Sequence, residues 1–75
     1  MNKVKNIGST GKEISRMLRN LEGPLYAPVS NNDDTIYLKI VKDDALIFFK
    51  DFRDNETGFV LEYDEVKKRF YLEVN

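Results

Sequence analysis

The fold depends on residues 43–53, which read Asp43-Asp44-Ala45-Leu46-Ile47-Phe48-Phe49-Lys50-Asp51-Phe52-Arg53. Two structures fit this stretch. A helix capped by Asp43 or Asp44 would have Ala45, Phe48, Phe49 and Phe52 as its apolar side. A central strand buried on both faces would explain the five consecutive apolar residues from Ala45 to Phe49, which an amphipathic surface helix does not require. We favour a strand at 45–52, followed by a loop at 54–58 in which Gly58 takes a left-handed conformation.

Upstream of this stretch, the sequence predicts one helix over residues 11–22. Thr10 and Glu13 have the spacing of a capping box. Ile14, Met17, Leu18 and Leu21 then form one apolar stripe at helical spacing. Gly23 and Pro24 are typical of a helix end. Residues 1–9 carry no comparable pattern, and we expect a flexible N-terminus there.

On both sides of residues 43–53, apolar residues alternate as they do in strands. Residues 25–30 and 35–41 are predicted strands joined by a turn at 31–34, and Pro28 favours an edge position for the first of them. Two further strands, at 59–63 and 69–74, flank a turn at 64–68. We expect the helix to cover one face of the sheet, made of Leu25, Val29, Ile36, Leu38, Ile40, Phe59, Leu61, Phe70, Leu72 and Val74.

The predicted fold class is therefore α+β, with an N-terminal helix packed on a mainly antiparallel meander of about five strands. The alternative is an αββαββ arrangement with a second helix at 44–53. Seventy-five residues make one small domain, covering 1–75. Such a domain has a marginal core, and without cysteine it has no disulfide to support it.

Composition excludes several functions. The chain has no Cys and no His, so thiol, histidine and thiolate-zinc chemistry are absent. We expect no enzyme, no cofactor and no metal site. No apolar run reaches the length of a membrane span, and the predicted location is cytoplasmic.

Charge is unevenly distributed along the chain. Residues 1–22 hold five basic and two acidic side chains, whereas the remainder holds seven basic and eleven acidic ones. The basic residues of the predicted helix, Lys12, Arg16 and Arg19, are candidates for nucleic-acid binding. The net charge of −1 counts against that function, because phosphate contacts supply most non-specific affinity.

Two groups of residues are candidates for a protein interface. The first lies on the predicted outer face of the sheet, where aromatic and basic residues are typical of interfaces. It consists of Tyr26, Tyr37, Lys39, Arg69 and Tyr71. The second lies in the predicted turns, where acidic side chains would cluster at the two ends of a meander and could engage a basic partner. It consists of Asp33, Asp34, Asp54 and Glu56 at one end, and Asp64 and Glu65 at the other, together with Asp43 and Asp44.

These observations predict a small non-enzymatic protein-binding module. In type, small acidic α+β chains without Cys, His or Trp resemble accessory proteins of phages and mobile elements. The first hypothesis is a protein that uses the outer tyrosines and the acidic turns to cover a site on a larger host macromolecule, or to assemble into a homo-oligomer. The alternative prediction is a nucleic-acid-binding protein that uses the basic helix and the outer tyrosines.

Overall fold

The computed structural model of the chain describes residues 4–31, 33–56 and 58–74. It has two helices and one five-stranded sheet. In chain order the elements are β1 (Val4–Gly8), α1 (Gly11–Arg19), β2 (Leu25–Asn31), β3 (Asp34–Ile40), α2 (Lys42–Asn55), β4 (Phe59–Asp64) and β5 (Arg69–Val74). The predicted α+β class is confirmed. The preferred meander is wrong, because a strand precedes the first helix and a second helix interrupts the strands.

Residues 42–55 form α2, so the preferred strand at 45–52 is wrong and the alternative helix at 44–53 was the better prediction. Ala45 and Phe49 lie one turn apart and are fully buried, whereas Ile47 between them is 72% exposed. The ring of Phe49 packs edge-on against Phe59, with the centroids 5.3 Å apart. The apolar run is therefore the buried side of a helix plus one solvent-exposed isoleucine.

The start of α2 also differs from the prediction. Val41 occupies the N-cap position, and no side chain caps the helix there. Asp43 and Asp44 lie in the first turn, where negative charge interacts favourably with the helix dipole.

The N-terminus contains a strand where a flexible segment was predicted. Residues 4–8 form β1, which pairs antiparallel with β4, while residues 1–3 lie outside the described residues. The register shifts between Asn6 and Gly8, which is a β-bulge or similar irregularity. Because Ile7 falls in this shift, β1 lacks the simple alternation that sequence reasoning looks for.

The capping box of α1 is present as predicted. The Thr10 hydroxyl accepts a hydrogen bond from the Glu13 amide at 3.2 Å, and the Glu13 carboxylate accepts one from the Thr10 amide at 3.2 Å. The helix ends at Arg19 with Asn20 as its C-cap, three residues before the predicted end at 22. Leu21 is buried although it lies beyond the helix.

The sheet is mixed, with the strand order β1-β4-β5-β2-β3. Every neighbouring pair is antiparallel except β2 and β5, which run parallel. The prediction that the Pro28 strand lies at an edge is wrong, because β2 is an inner strand. The pairing of β2 with β5 covers only Leu25 and Tyr26, so Pro28 lies beyond that ladder. The N–H group that proline lacks therefore removes no hydrogen bond between β2 and β5.

The core lies between the helices and one face of the sheet. Leu25, Leu61 and Leu72 on that face are fully buried, together with Ile14 of α1 and Phe49 of α2. Three side chains that were predicted to be covered are instead exposed: Ile36 by 48%, Leu38 by 45% and Val74 by 46%. Ile36 and Leu38 belong to the edge strand β3, which has a neighbouring strand on one side only.

The two predicted hairpins are both present. β2 pairs with β3 from Leu25 and Ile40 up to Asn31 and Asp34, and β4 pairs with β5 along its whole length. Lys68, in the turn between β4 and β5, has a φ of 56°, in the left-handed region that favours glycine.

Candidate functional site

The outer face of the sheet carries a cluster of tyrosines. The Tyr71 ring on β5 lies 5.5 Å from Tyr26 on β2 and 5.2 Å from Tyr37 on β3, centroid to centroid. The Tyr37 and Tyr71 rings meet edge to face, an arrangement that aromatic pairs favour. Alternation within each strand puts all three rings on the face opposite the helices.

Two basic side chains border these rings. The Arg69 guanidinium lies 4.7 Å from the centroid of the Tyr26 ring, which is a cation–π contact. Lys39 is the register partner of Tyr26 and is exposed. We call these five residues, Tyr26, Tyr37, Lys39, Arg69 and Tyr71, the tyrosine face. The structure therefore brings together the first group of predicted interface residues.

Two carboxylates accompany the tyrosine face. The Tyr37 hydroxyl donates a hydrogen bond to Glu73 Oε2 at 2.9 Å. Partial burial, and after it this hydrogen bond, raises the pKa of Tyr37 to about 12. Partial burial also raises the pKa of Glu62, with a smaller contribution from the negative charge of Glu73. Sequence reasoning missed both acids, because they alternate with apolar residues within strands and do not lie in turns.

The predicted acidic clusters are only partly realised. Glu56, the C-cap of α2, lines an open groove with Thr35, so it lies near Asp34 at the start of β3 and near Asp33 just before it. Asp33, Asp34 and Asp54 are exposed.

At the other end of the sheet the predicted cluster does not form. Asp64 ends β4 and Glu65 follows it, whereas Asp43 and Asp44 lie in the first turn of α2, which follows β3, three strand positions away. Asp64 Oδ1 accepts hydrogen bonds from the amides of Val66 and Lys67 at 2.9 and 3.0 Å. Glu65 forms an ion pair with Lys5 at 2.6 Å. Both acids therefore have partners within their own turn or the adjoining strand.

The edge strand β3 presents an exposed surface that includes two residues, Ile36 and Leu38, assigned to the core by sequence reasoning. Its helix-side residues Ile36 and Leu38 are about half exposed, Tyr37 on its other face is 42% exposed, and Val41 just after it is 55% exposed. We call these four residues the β3 edge. Alternation within β3 identified the faces of Ile36, Tyr37 and Leu38 correctly but could not show that the covering helices leave this strand uncovered.

A basic groove runs between the two helices. Lys12, Arg16 and Arg19 of α1 line it together with Arg53 of α2, and Lys50 lies in the adjoining hollow. An ideal Cβ built at Gly11 would lie 3.2 Å from Arg53 Nη1, so this guanidinium lies against the first turn of α1. Over the described ranges 4–31, 33–56 and 58–74, none of these five cations forms a salt bridge. Lys50 and Arg53 could not be predicted, because their stretch was interpreted as a strand.

An open apolar hollow lies near the end of α1. It is lined by residues from several parts of the chain that the sequence did not associate: Ile7, Asn20, Glu22, Gly23, Pro24, Tyr63, Lys68, Arg69 and Phe70. The Tyr63 and Phe70 rings within it are 4.7 Å apart.

Two kinds of feature are not found in the part of the chain that the structure describes. No helix there has the length and apolar character to cross a membrane. No group of three or more acidic side chains there is arranged to hold a metal ion. No protein family, curated protein or solved structure matches this chain.

Proposed function

We propose that this chain is a small protein-binding module that acts by contact and performs no chemical turnover. Its binding surface is the β3 edge, together with the tyrosine face beside it. In this function the chain covers a surface of another protein, either a larger macromolecule or another copy of itself.

The exposure of apolar side chains on the edge strand carries this proposal. Ile36, Leu38 and Val41 are each between 45% and 55% exposed and are close neighbours in the chain. Contiguous exposed apolar residues are typical of interaction sites. An edge strand also offers unpaired backbone donors and acceptors that another chain can complete. The adjacent tyrosines and Arg69 are residue types enriched at the energetic centres of interfaces.

A photo-crosslinking residue at position 38 tests this proposal. We expect it to form a discrete protein adduct in cells that naturally produce the chain. The same residue at position 66 is the matched control, since Val66 is 68% exposed and lies in the β4–β5 turn. Unlabelled wild-type protein should abolish the adduct, and an unlabelled Leu38→Lys variant should not. Identical adducts at both positions, or none at position 38, would contradict protein binding at this surface.

The basic groove supports a second candidate function, which is binding of single-stranded nucleic acid. Four cations along this groove, with Lys50 in the adjoining hollow, can follow a phosphate backbone. Release of counterions then makes affinity steeply dependent on salt. We expect fluorescence anisotropy with a labelled oligonucleotide to give a negative log–log salt slope. Substituting Lys12, Arg16 and Arg19 with Gln should flatten it by roughly 0.7 for each phosphate that the variant no longer neutralises. A variant with Lys67→Gln and Lys68→Gln serves as the control. Equal salt slopes for the two variants would rule out the basic groove as the nucleic-acid-binding site.

A further inference from the structure

The two edges of the sheet differ in how well they are protected from pairing. β1 has the irregular register between Asn6 and Gly8, and Lys5 on it is held in an ion pair with Glu65. Irregular registers and charged side chains are the usual means of blocking an edge strand. β3 pairs with β2 over seven consecutive residues without a shift, and its two charged side chains, Asp34 and Lys39, lie at or next to its ends. β3 is therefore the edge that is open to another strand.

The backbone of β3 presents free hydrogen-bonding groups at alternate residues. Asn31 and Asp34 close the β2–β3 hairpin across a loop of two residues, and such a closing pair is hydrogen-bonded. Hydrogen-bonded and non-hydrogen-bonded pairs alternate from there along the ladder. Consequently Thr35, Tyr37 and Lys39 direct their N–H and C=O groups away from β2, towards the open edge.

We propose that two copies of this chain associate through β3, antiparallel to each other and centred on Tyr37. The inference rests on the proposed function and identifies the protein partner as a second copy. A two-fold axis perpendicular to the sheet at Tyr37 joins the two sheets into one of ten strands. It keeps the helices of both copies on the same face, and it uses the outward backbone groups of both strands.

The apolar side chains are self-complementary in this register. Ile36 lies opposite Leu38 of the second copy, and by symmetry Leu38 lies opposite Ile36. This is a non-hydrogen-bonded pair, in which the side chains approach most closely. Two half-exposed residues of each copy would thereby lose their contact with water.

The charges are complementary too. On the outer face Lys39 lies opposite Thr35 and diagonal to Asp33 of the second copy, within reach of a long side chain. On the helix side Asp34 lies opposite the uncharged Ile40, so no two like charges lie directly opposite each other. A register that placed Lys39 opposite Lys39 would be disfavoured by repulsion, which makes the pairing specific.

Sedimentation velocity over a wide range of concentration tests the association. We expect wild-type protein to move from monomer to dimer and no further, because a closed two-fold contact leaves no second β3 edge. The Leu38→Lys variant should raise the dimer Kd by roughly tenfold or more. The Val66→Lys variant makes the same kind of chemical change far from β3 and should leave Kd unchanged. A strictly monomeric wild type, or equal Kd values for the two variants, would overturn the proposal.

Disulfide formation tests the register without any change of charge. The chain has no cysteine, so single-cysteine variants report on one position each. Residues opposite in a non-hydrogen-bonded pair have Cα atoms about 4.5 Å apart, within the range a disulfide spans. A mixture of Ile36→Cys and Leu38→Cys chains should therefore give the mixed disulfide in excess over either homodimer. A mixture of Ile47→Cys and Leu38→Cys chains should not. Equal yields from both mixtures would contradict the register.

These experiments separate self-association from protein binding in general. A monomeric wild type whose position 38 still gives a competable adduct with a different protein would disprove self-pairing and leave the proposed function intact. A monomeric wild type with no adduct at position 38 would disprove both.

Discussion

Tyr37 on β3 and Glu73 on β5 are joined by a 2.9 Å hydrogen bond that spans the intervening strand β2. The strand residue opposite Tyr37 is Pro28, which lies beyond the short ladder between β2 and β5. The bond therefore links β3 to the body of the sheet where backbone pairing between β2 and β5 has ended. Its donor lies in the middle of the edge that we propose as a binding surface.

The Tyr37→Phe variant should lower stability and change its dependence on pH. At pH 8 we expect a loss of about 0.5–1.5 kcal/mol, the usual net value of one hydrogen bond. The pKa of Tyr37 is raised from 10.0 to about 12 by folding, so its stabilising contribution is complete below pH 10 and is lost as the pH rises through 12. Urea unfolding at intervals between pH 8 and 12 should show the difference between the two proteins narrowing. A constant difference would contradict the raised pKa.

The Glu62→Gln variant should be more stable than wild type at neutral pH. Folding raises the pKa of Glu62 above its ordinary value of 4.5, so the charged form is disfavoured in the folded protein. The contribution of Glu62 to the stability of the folded protein is therefore complete below pH 4.5. It is lost as the pH rises through the raised pKa that Glu62 has in the folded protein. We expect a gain of about 0.5 kcal/mol in chemical denaturation at pH 7 and none in acid. Glu22→Gln, at an exposed position, serves as the control. An equal gain in stability there would show that the partial burial of Glu62 is not the cause.

Residues 47 and 49 distinguish the helix from the strand interpretation of this stretch. In a strand these two side chains would share one face, whereas in α2 Phe49 is fully buried and Ile47 is 72% exposed. We expect Phe49→Ala to cost about 3–5 kcal/mol, which is comparable to the whole stability of so small a core. Ile47→Ala should change the free energy of unfolding by less than about 0.5 kcal/mol. Thermal and urea unfolding measure both, and similar losses would support a strand.

Glycine substitutions in the β4–β5 turn should have opposite effects at neighbouring positions. Lys68 has a φ of 56°, which costs a residue with a side chain about 1 kcal/mol or more. Lys68→Gly should therefore raise stability by up to about 1 kcal/mol, after allowance for the greater freedom of glycine in the unfolded chain. Lys67→Gly gains no such relief and should lower stability by roughly 0.5 kcal/mol. Equal changes at both positions would show that Lys68 is not strained.

Part of the candidate site could be predicted from the sequence. Alternation within β2, β3 and β5 was enough to place Tyr26, Tyr37 and Tyr71 on one face, because side chains in strands point to alternate sides. Glu73 was not recognised, because its role depends on Tyr37 reaching it across a third strand. The basic groove was found only in part, since Arg53 joins Lys12 and Arg19 only when α2 packs beside α1.

The sequence by itself determined the local elements whose signals involve near neighbours. The Thr10–Glu13 capping box depends on contacts within one helical turn, and the two hairpins pair strands that are adjacent in the sequence and joined by short turns. Only the tertiary structure decided the strand order, the helical state of residues 42–55 and the exposure of Ile36 and Leu38. The physical reason is that these outcomes depend on burial against distant parts of the chain. A run of five apolar residues suits a buried helix as well as a central strand until its neighbours are in place, and an alternating strand is covered only if a helix lies over it.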